Sequence, residues 1–346
     1  MTNAIDALSE RIFGALVGAA ELCTVELGRE LGLYTVLRDG PQTPGTLAKA
    51  AGIDERYARE WLEQQAAAGF LVVADGSFGL ADGVAEVLLD EDGPAYAGAA
   101  GAFALGVALL TPRVIEAFRT GAGVPYSDYG HVRHGIAGFN RPMFTYLLTG
   151  EWLPAVPEID ARLRAQPGAS VLDLGCGMGY SSVAMARAYP SITVRGVDLD
   201  EHSIAEARRI AAEAGVADRV SFMTGDAAET GGSYDLITVF EALHDMGDPV
   251  GVLRNARGLL TAGGSVLIAD ERVSDEFTAP AGEVERLQYA FSVLHCLPAT
   301  RAEDPVVANG TVLRAPTLLA WAREAGYAES EVLGVENDFW RFYRLR

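Results

Sequence analysis

From residue 169 onward, short apolar runs alternate with stretches whose apolar residues recur every three or four positions. Val171-Leu172 opens the series, residues 180–189 follow with helical spacing, and the run 192–197 closes on Asp198. Ile204, Ala207, Ala211 and Ala214 then share one helical face, stopped by Gly215. Residues 219–224 lead into Gly225-Asp226-Ala227, and 234–240 read as a fourth strand. A helix over 249–260, a turn over 261–264 and a fifth strand over 265–270 complete the beat. This order predicts an α/β domain: a mostly parallel sheet with helices on both faces and its ligand at the carboxyl ends of the strands. The tail departs from it. A helix over 316–325 stops at Gly326, and 332–335 and 339–343 follow as closely spaced strands, an antiparallel pair.

The first half has a different rhythm. Ile12, Leu16 and Ala19 place helices within 5–37, and short helices over 43–52 and 55–68 precede a hairpin over 70–80. Helix, turn, helix, hairpin is a winged helix, which by itself points to a DNA-binding regulator. Residues 94–165 read as mainly helical with a break at 121–139, where Tyr126, Tyr129, His131, His134 and Phe139 cluster. Those side chains suit either a substrate wall or a loop that packs its aromatics inward. The expected boundaries are a winged-helix domain over 1–92, a helical connector over 93–165 and a ligand-binding domain over 166–346.

Gly175, Gly177 and Gly179 sit between the first strand and its helix, where a backbone without Cβ atoms turns sharply and approaches a ligand. No Gly-Lys-Ser/Thr follows, and Lys49 is the only lysine in the chain, which excludes a phosphate loop. The third glycine of a dinucleotide fingerprint would fall on Tyr180. The pattern Asp-x-Gly-x-Gly-x-Gly from Asp173 to Gly179 instead resembles the first motif of the class I S-adenosylmethionine-dependent methyltransferases. The resemblance implies a Rossmann-like class I domain with a final antiparallel strand, and S-adenosyl-L-methionine as cofactor. It places Asp173, Gly175, Gly177, Gly179 and Tyr180 at the cofactor loop. It also assigns Asp198 to the ribose hydroxyls, Leu199 to the adenine face and Asp226 to the adenine amino group, with Ala227 and Phe240 bordering the same site.

The sequence Phe240-Glu-Ala-Leu-His-Asp-Met carries the candidate chemistry. It resembles the Leu-His-Asp-Trp segment of small-molecule O-methyltransferases, whose histidine is the general base, with Met246 in the tryptophan position. The resemblance makes His244 the base for a hydroxyl acceptor, a role that suits imidazole near neutral pH. A carboxylate behind the ring would fix its tautomer; Asp245 is adjacent, and Glu241, Asp270, Glu271 and Glu303 are alternatives. His295 is a second candidate if a helix over 283–294 roofs the site. The His-Asp pair also suits a purely structural loop, or an enzyme of this fold that methylates nitrogen or carbon, decarboxylates or cyclises. Asp245, Asp248 and Asp270 could in principle hold magnesium, but no metal is expected.

Charge and composition narrow the partners. With 346 residues and 49% hydrophobic composition, the chain can bury two cores. A net charge of −20 disfavours nucleic acid and anionic membranes. The second helix of the winged-helix pattern carries Glu55, Glu60 and Glu63 against Arg56 and Arg59. Many small-molecule O-methyltransferases, actinobacterial ones in particular, carry such a module for dimerisation, so the resemblance implies a homodimer rather than a regulator. The implied acceptor is a small, largely apolar molecule, aromatic or polyketide-like. Arginine used almost to the exclusion of lysine fits a high-GC bacterium and secondary metabolism. Cys23, Cys176 and Cys296 form no motif pair, and no secretory signal is visible, so a cytoplasmic location is expected. Residues 93–112 carry no charge, but their alanine and glycine content favours a buried helix over a membrane span.

Overall fold

Turn and cap chemistry delimits the amino-terminal elements in the computed structural model, which describes residues 3–346. Helix α1 (Ala4–Glu30) starts where Asn3 caps Ile5 N, and Gly32 at φ +66° turns the chain into α2 (Leu33–Arg38). Helix α3 (Pro44–Ala51) carries a Thr43–Thr46 capping box, and Asp54 caps α4 (Glu55–Ala67) through the amides of Arg56 and Tyr57. Strands β1 (Leu71–Ala74) and β2 (Ser77–Leu80) pair antiparallel across Asp75-Gly76, both at positive φ. Leu33, Leu47, Leu62 and Trp61 form their common core, and the Trp61 indole donates to Thr24 O at 3.0 Å. The winged helix is thus present.

Helices α5 (Val84–Leu88), α6 (Ala100–Thr120) and α7 (Gly130–Pro142) follow. By length and composition α6 could cross a membrane; its Phe103, Leu110, Val114 and Ala117 are buried side chains. The expected break shrinks to residues 121–129. His131, His134 and Phe139 lie on α7, where Phe139 meets Phe103 edge-on at 6.4 Å. The chain divides into two compact units, residues up to Leu109 with Gly130–Pro142, and Leu110–Tyr129 with Met143–Arg346.

The second unit begins its α/β order after a π-helical stretch (Met143–Trp152) and α8 (Pro157–Arg164). Then come β3 (Ser170–Leu174), α9 (Tyr180–Ala188), β4 (Thr193–Asp198), α10 (Glu201–Glu213), β5 (Val220–Thr224), β6 (Tyr234–Phe240), α11 (Pro249–Leu259) and β7 (Leu260–Glu271). Helices α12 (Glu283–Phe291), α13 (Leu297–Arg301) and α14 (Ala315–Glu324) precede β8 (Ser330–Val332) and β9 (Trp340–Leu345). Among the described residues these strands form one seven-stranded sheet, ordered β5-β4-β3-β6-β7-β9-β8. The first five are parallel, and β9 runs against both β7 and β8. The expected turn at 261–264 is instead the start of β7, whose pairing with β6 is irregular between Tyr234 and Leu236. Apolar cores cover both faces, so β3, β6 and the second half of β7 (265–271) are almost wholly buried. Chain order reverses between β3 and β6, and a crevice at their carboxyl ends is where such a sheet receives a ligand.

Candidate active site

The three glycines at the end of β3 have left-handed backbones, φ +68° at Gly175, +49° at Gly177 and +77° at Gly179. Two of them are also needed for packing. A Cβ on Gly175 would lie 2.5 Å from Ala242 Cβ, and one on Gly179 would lie 2.6 Å from the Phe222 ring. Gly177 differs, because nothing lies within 4 Å of where its Cβ would be. That open position beside a helix N-terminus is the cradle expected of a cofactor loop.

Asp173 acts from behind this loop. Its carboxylate is buried and accepts from Ser181 Oγ at 2.6 Å, Ser182 Oγ at 2.7 Å and Thr238 Oγ1 at 2.7 Å. Burial raises its pKa, and the three hydroxyls counter the rise. It ties β3 to the first turn of α9 and to β6, so it positions the loop instead of lining its open side. Tyr180, half-buried, opens α9.

Asp198 ends β4, where Gly177 N donates to Oδ2 at 2.8 Å and Asp200 N to Oδ1 at 2.9 Å. Burial pushes its pKa up, against those two amides. Leu199 beside it is 57% exposed. Asp226 is exposed past the end of β5, with Oδ1 accepting from Ala228 N at 2.8 Å, and Ala227 is half-buried. Asn255 on α11, which sequence reasoning missed, holds this loop by donating to Ala227 O and Thr230 O, both at 2.9 Å. Phe240 is buried, its ring 5.8 Å from that of Phe144. It is therefore part of the core beneath the site.

The chain leaves β6 through Glu241, a non-glycine residue at φ +50° held by its amide donating to Ala269 O at 2.7 Å. A short 3-10 turn then presents His244, which is buried. Its Nδ1 lies 3.0 Å from Asp270 Oδ1, and its backbone N–H donates to Asp270 Oδ2 at 3.3 Å. Asp270, at the end of β7 and fully buried, is therefore the orienting acid among those considered. On the other side Nε2 stands 3.5 Å from Asp245 Oδ1, within ion-pair reach but not hydrogen-bonded. Burial alone would lower the imidazole pKa, but the carboxylates of Asp245 and Asp270 hold it well above its ordinary value. Met246 leans on the glycine loop, its Cε 3.5 Å from the Cβ position of Gly175.

His295 lies in a π-helical stretch (Ser292–Cys296) that continues α12, fully buried with Tyr129 edge-on at 4.6 Å. Burial pulls its pKa down to about 4, so the ring is neutral at pH 7. Its Nδ1 is 3.3 Å from Cys296 Sγ, and Cys296 in turn reaches His244 and Asp245. Cys296 was missed as a site residue; the adjacent His-Cys pair in 293–297 was the only available signal. Glu271, next to Asp270, is buried and accepts from Gln288 Nε2 at 2.6 Å. Burial and the nearby Glu241 carboxylate raise its pKa well above the ordinary range.

Comparison with known proteins agrees with this fold. Residues 165–307 match the family model of a methyltransferase domain, and 19–77 match an Rv2258c-like winged HTH domain. The ubiquinone biosynthesis O-methyltransferase of Pseudomonas aeruginosa is 32% identical over 186 residues, covering 51% of this chain and 73% of that protein. An O-methyltransferase family protein from Burkholderia thailandensis superposes with a TM-score of 0.68 at 21% identity, over 100% of this chain and 98% of the other. Human N-acetylserotonin methyltransferase, in complex with S-adenosylmethionine, gives 0.70 at 15% identity, over 100% and 99%.

Proposed function

The chain belongs to the class I S-adenosylmethionine-dependent methyltransferases, and we propose that within that family it methylates a hydroxyl of a small, largely apolar acceptor with His244 as base. The observation that carries this reading is the His244–Asp270 pair, buried at the carboxyl edge of β6 and β7 beside a turn that touches the glycine loop. The residues present suit the cofactor, since Gly177 leaves open space, Asp198 offers a carboxylate and Leu199 an uncovered apolar face. When bound, S-adenosylmethionine supplies an electrophilic methyl group. In this reading Gly175, Gly177, Gly179 and Tyr180 form its cradle, Asp198 takes the ribose hydroxyls, and Leu199, Asp226 and Ala227 take the adenine. Asp173 and Phe240 support that cradle from behind.

His244 Nε2 accepts the acceptor's hydroxyl proton as the oxygen is methylated, while Asp270 holds Nδ1–H and stabilises the imidazolium. The two flanking carboxylates favour the protonated ring, so any proton already on Nε2 passes to solvent before the acceptor's proton arrives. Asp245 borders this path. Neutral His295, with Tyr126 and Tyr129 around it, is a wall for an aromatic or polyketide-like acceptor. Incubation with S-adenosylmethionine and a panel of phenols, read by mass spectrometry, tests the reaction. A product heavier by one methyl on oxygen is expected. Carbon dioxide loss, or methylation at nitrogen or carbon alone, would replace O-methylation with one of the rival chemistries.

The remaining assignments are a homodimer, cytoplasmic use in secondary metabolism, and no nucleic-acid or membrane partner. The face of α1 with Ile5, Leu8, Ile12, Phe13 and Leu16, each between 58% and 72% exposed, supports a second copy docking there. Sedimentation of the purified chain as a monomer would refute it. The acidic face of α4, where Arg56 is paired with Glu60, argues against DNA; a salt-sensitive gel shift would revive that rival.

A further inference from the structure

At the base itself, three side chains of different chemistry converge. His244 Nε2, Asp245 Oδ1 and Cys296 Sγ all lie within 4.8 Å of one another, the one such cluster found among the described residues. Asp245 Oδ1 is shut off from solvent and accepts no hydrogen bond, although its side chain remains 31% exposed. An oxygen of this kind, beside an imidazole nitrogen and a thiol, has unused capacity as a ligand.

The surrounding bonds orient all three groups. Asp270 at 3.0 Å from His244 Nδ1 leaves Nε2 as the nitrogen turned to Asp245 and Cys296, the arrangement by which carboxylates hold metal-binding imidazoles. His295 Nδ1, 3.3 Å from Cys296 Sγ, is placed to donate to a thiolate. A nitrogen, oxygen and sulfur donor set suits Zn²⁺ and disfavours Mg²⁺ or Ca²⁺, which prefer oxygen alone. One thiolate and one carboxylate balance the ion's two charges, which matters in a buried site. Three protein ligands leave a fourth position for water or another ligand. The magnesium trio considered from sequence does not assemble this way, because Asp270 is committed to His244 and Asp248 caps α11 through Gly251 N at 2.8 Å.

We propose that His244, Asp245 and Cys296 form a Zn²⁺ site whose filling removes the nitrogen that methyl transfer uses, making zinc a reversible inhibitor. Binding displaces the Cys296 thiol proton, and with it any proton on His244 Nε2, to solvent and places the ion on Sγ, Nε2 and Oδ1. The inhibitory half rests on the reading of His244 as base; the binding half does not.

Titration of chelator-treated full-length protein with Co²⁺, followed by optical absorption, separates the two halves. One equivalent of Co²⁺ should produce thiolate-to-metal and tetrahedral bands that Zn²⁺ abolishes. Cys296→Ser should erase the thiolate band, and Asp270→Asn should weaken Zn²⁺ by about 10-fold or more. Cys23→Ser, which removes an exposed thiol elsewhere, should leave the bands intact. Unchanged S-adenosylmethionine affinity in each variant reports a preserved fold. Absence of a thiolate band, or its survival in Cys296→Ser, overturns the site. A normal band with methyl transfer indifferent to stoichiometric Zn²⁺ overturns the inhibition. If turnover is also indifferent to His244→Ala, the base reading fails while the zinc site stands.

Discussion

The two edges of the seven-stranded sheet handle their acids in opposite ways. At the amino-terminal edge three acids have a guanidinium beside them: Asp235 meets Arg162 at 2.8 Å, Asp160 meets Arg164 at 2.9 Å, and Glu158 meets Arg344 at 3.0 Å. Asp235 also accepts from Ser170 N and Thr261 Oγ1, and together these partners outweigh burial and lower its pKa. The Arg164 hydrogen bond does the same for Asp160. At the carboxyl-terminal edge the partners are hydroxyls for Asp173, amides for Asp198, an imidazole for Asp270 and a glutamine for Glu271. None of these four is ion-paired to arginine among the described residues, and burial raises the pKa of Asp173, Asp198 and Glu271. One edge is therefore finished electrostatically. The other keeps buried carboxyl groups whose ionisation burial opposes, at a stability cost.

Removing His244 probes the active edge most severely. His244→Ala should lower methyl transfer to a phenol by roughly 100-fold or more while cofactor affinity stays nearly constant. Calorimetry and product assays on the same sample check both, and near-normal turnover would end the base assignment. Asp198→Ala should raise the Kd for S-adenosylmethionine by about 10- to 100-fold, the loss of hydrogen bonds to a charged group, with little change in turnover at saturation. An unaltered Kd would mean that this acid belongs with the structural ones.

The opposite edge should answer in stability. Asp235→Ala should cost about 1–3 kcal/mol at pH 7, read from urea unfolding, with cofactor binding unchanged. Because the folded pKa of Asp235 is lowered, its contribution is present above the ordinary carboxylate range and fades as pH falls through the folded value. Wild type and variant should therefore converge in acid. Glu271 has the reverse sign. Its raised folded pKa means that stability is lost as pH rises through and beyond the ordinary glutamate range, since the unfolded chain ionises first. Glu271→Gln should remove that loss and unfold at higher urea than wild type between pH 6 and 8, by within about 1 kcal/mol. A destabilised variant would show that the carboxylate is structurally required.

Much of the candidate site could be read in the sequence, because its glycine loop is local. The spacing of Gly175, Gly177 and Gly179 and the acids closing β4 and β5 all lie within a few residues of the strand end they serve. The winged helix was legible for the same reason, through the Thr43 and Asp54 caps and the Asp75-Gly76 turn. Less legible was the duty of each acid. Asp173 reads as a loop residue, yet its partners Ser181, Ser182 and Thr238 turn it inward. Residues 130–139 read as part of the break at 121–139 because of their glycines and histidines, yet they form the amphipathic helix α7.

By its own periodicity and turn residues, the chain determined the order of strands and helices, the glycine loop and the position of His244 at a strand's end. Tertiary structure alone decided that Asp270, 26 residues away, orients that imidazole, and that Cys296 and His295 stand beside it. The reason is register. Parallel pairing of β6 with β7 aligns Phe240 with Ala269 and so brings the next residues, Glu241 and Asp270, to one level. The π-helical turn after α12 sets which side chains reach the edge from above. Hydrophobic pattern records which face of an element is buried, but not which residue of another element will lie opposite.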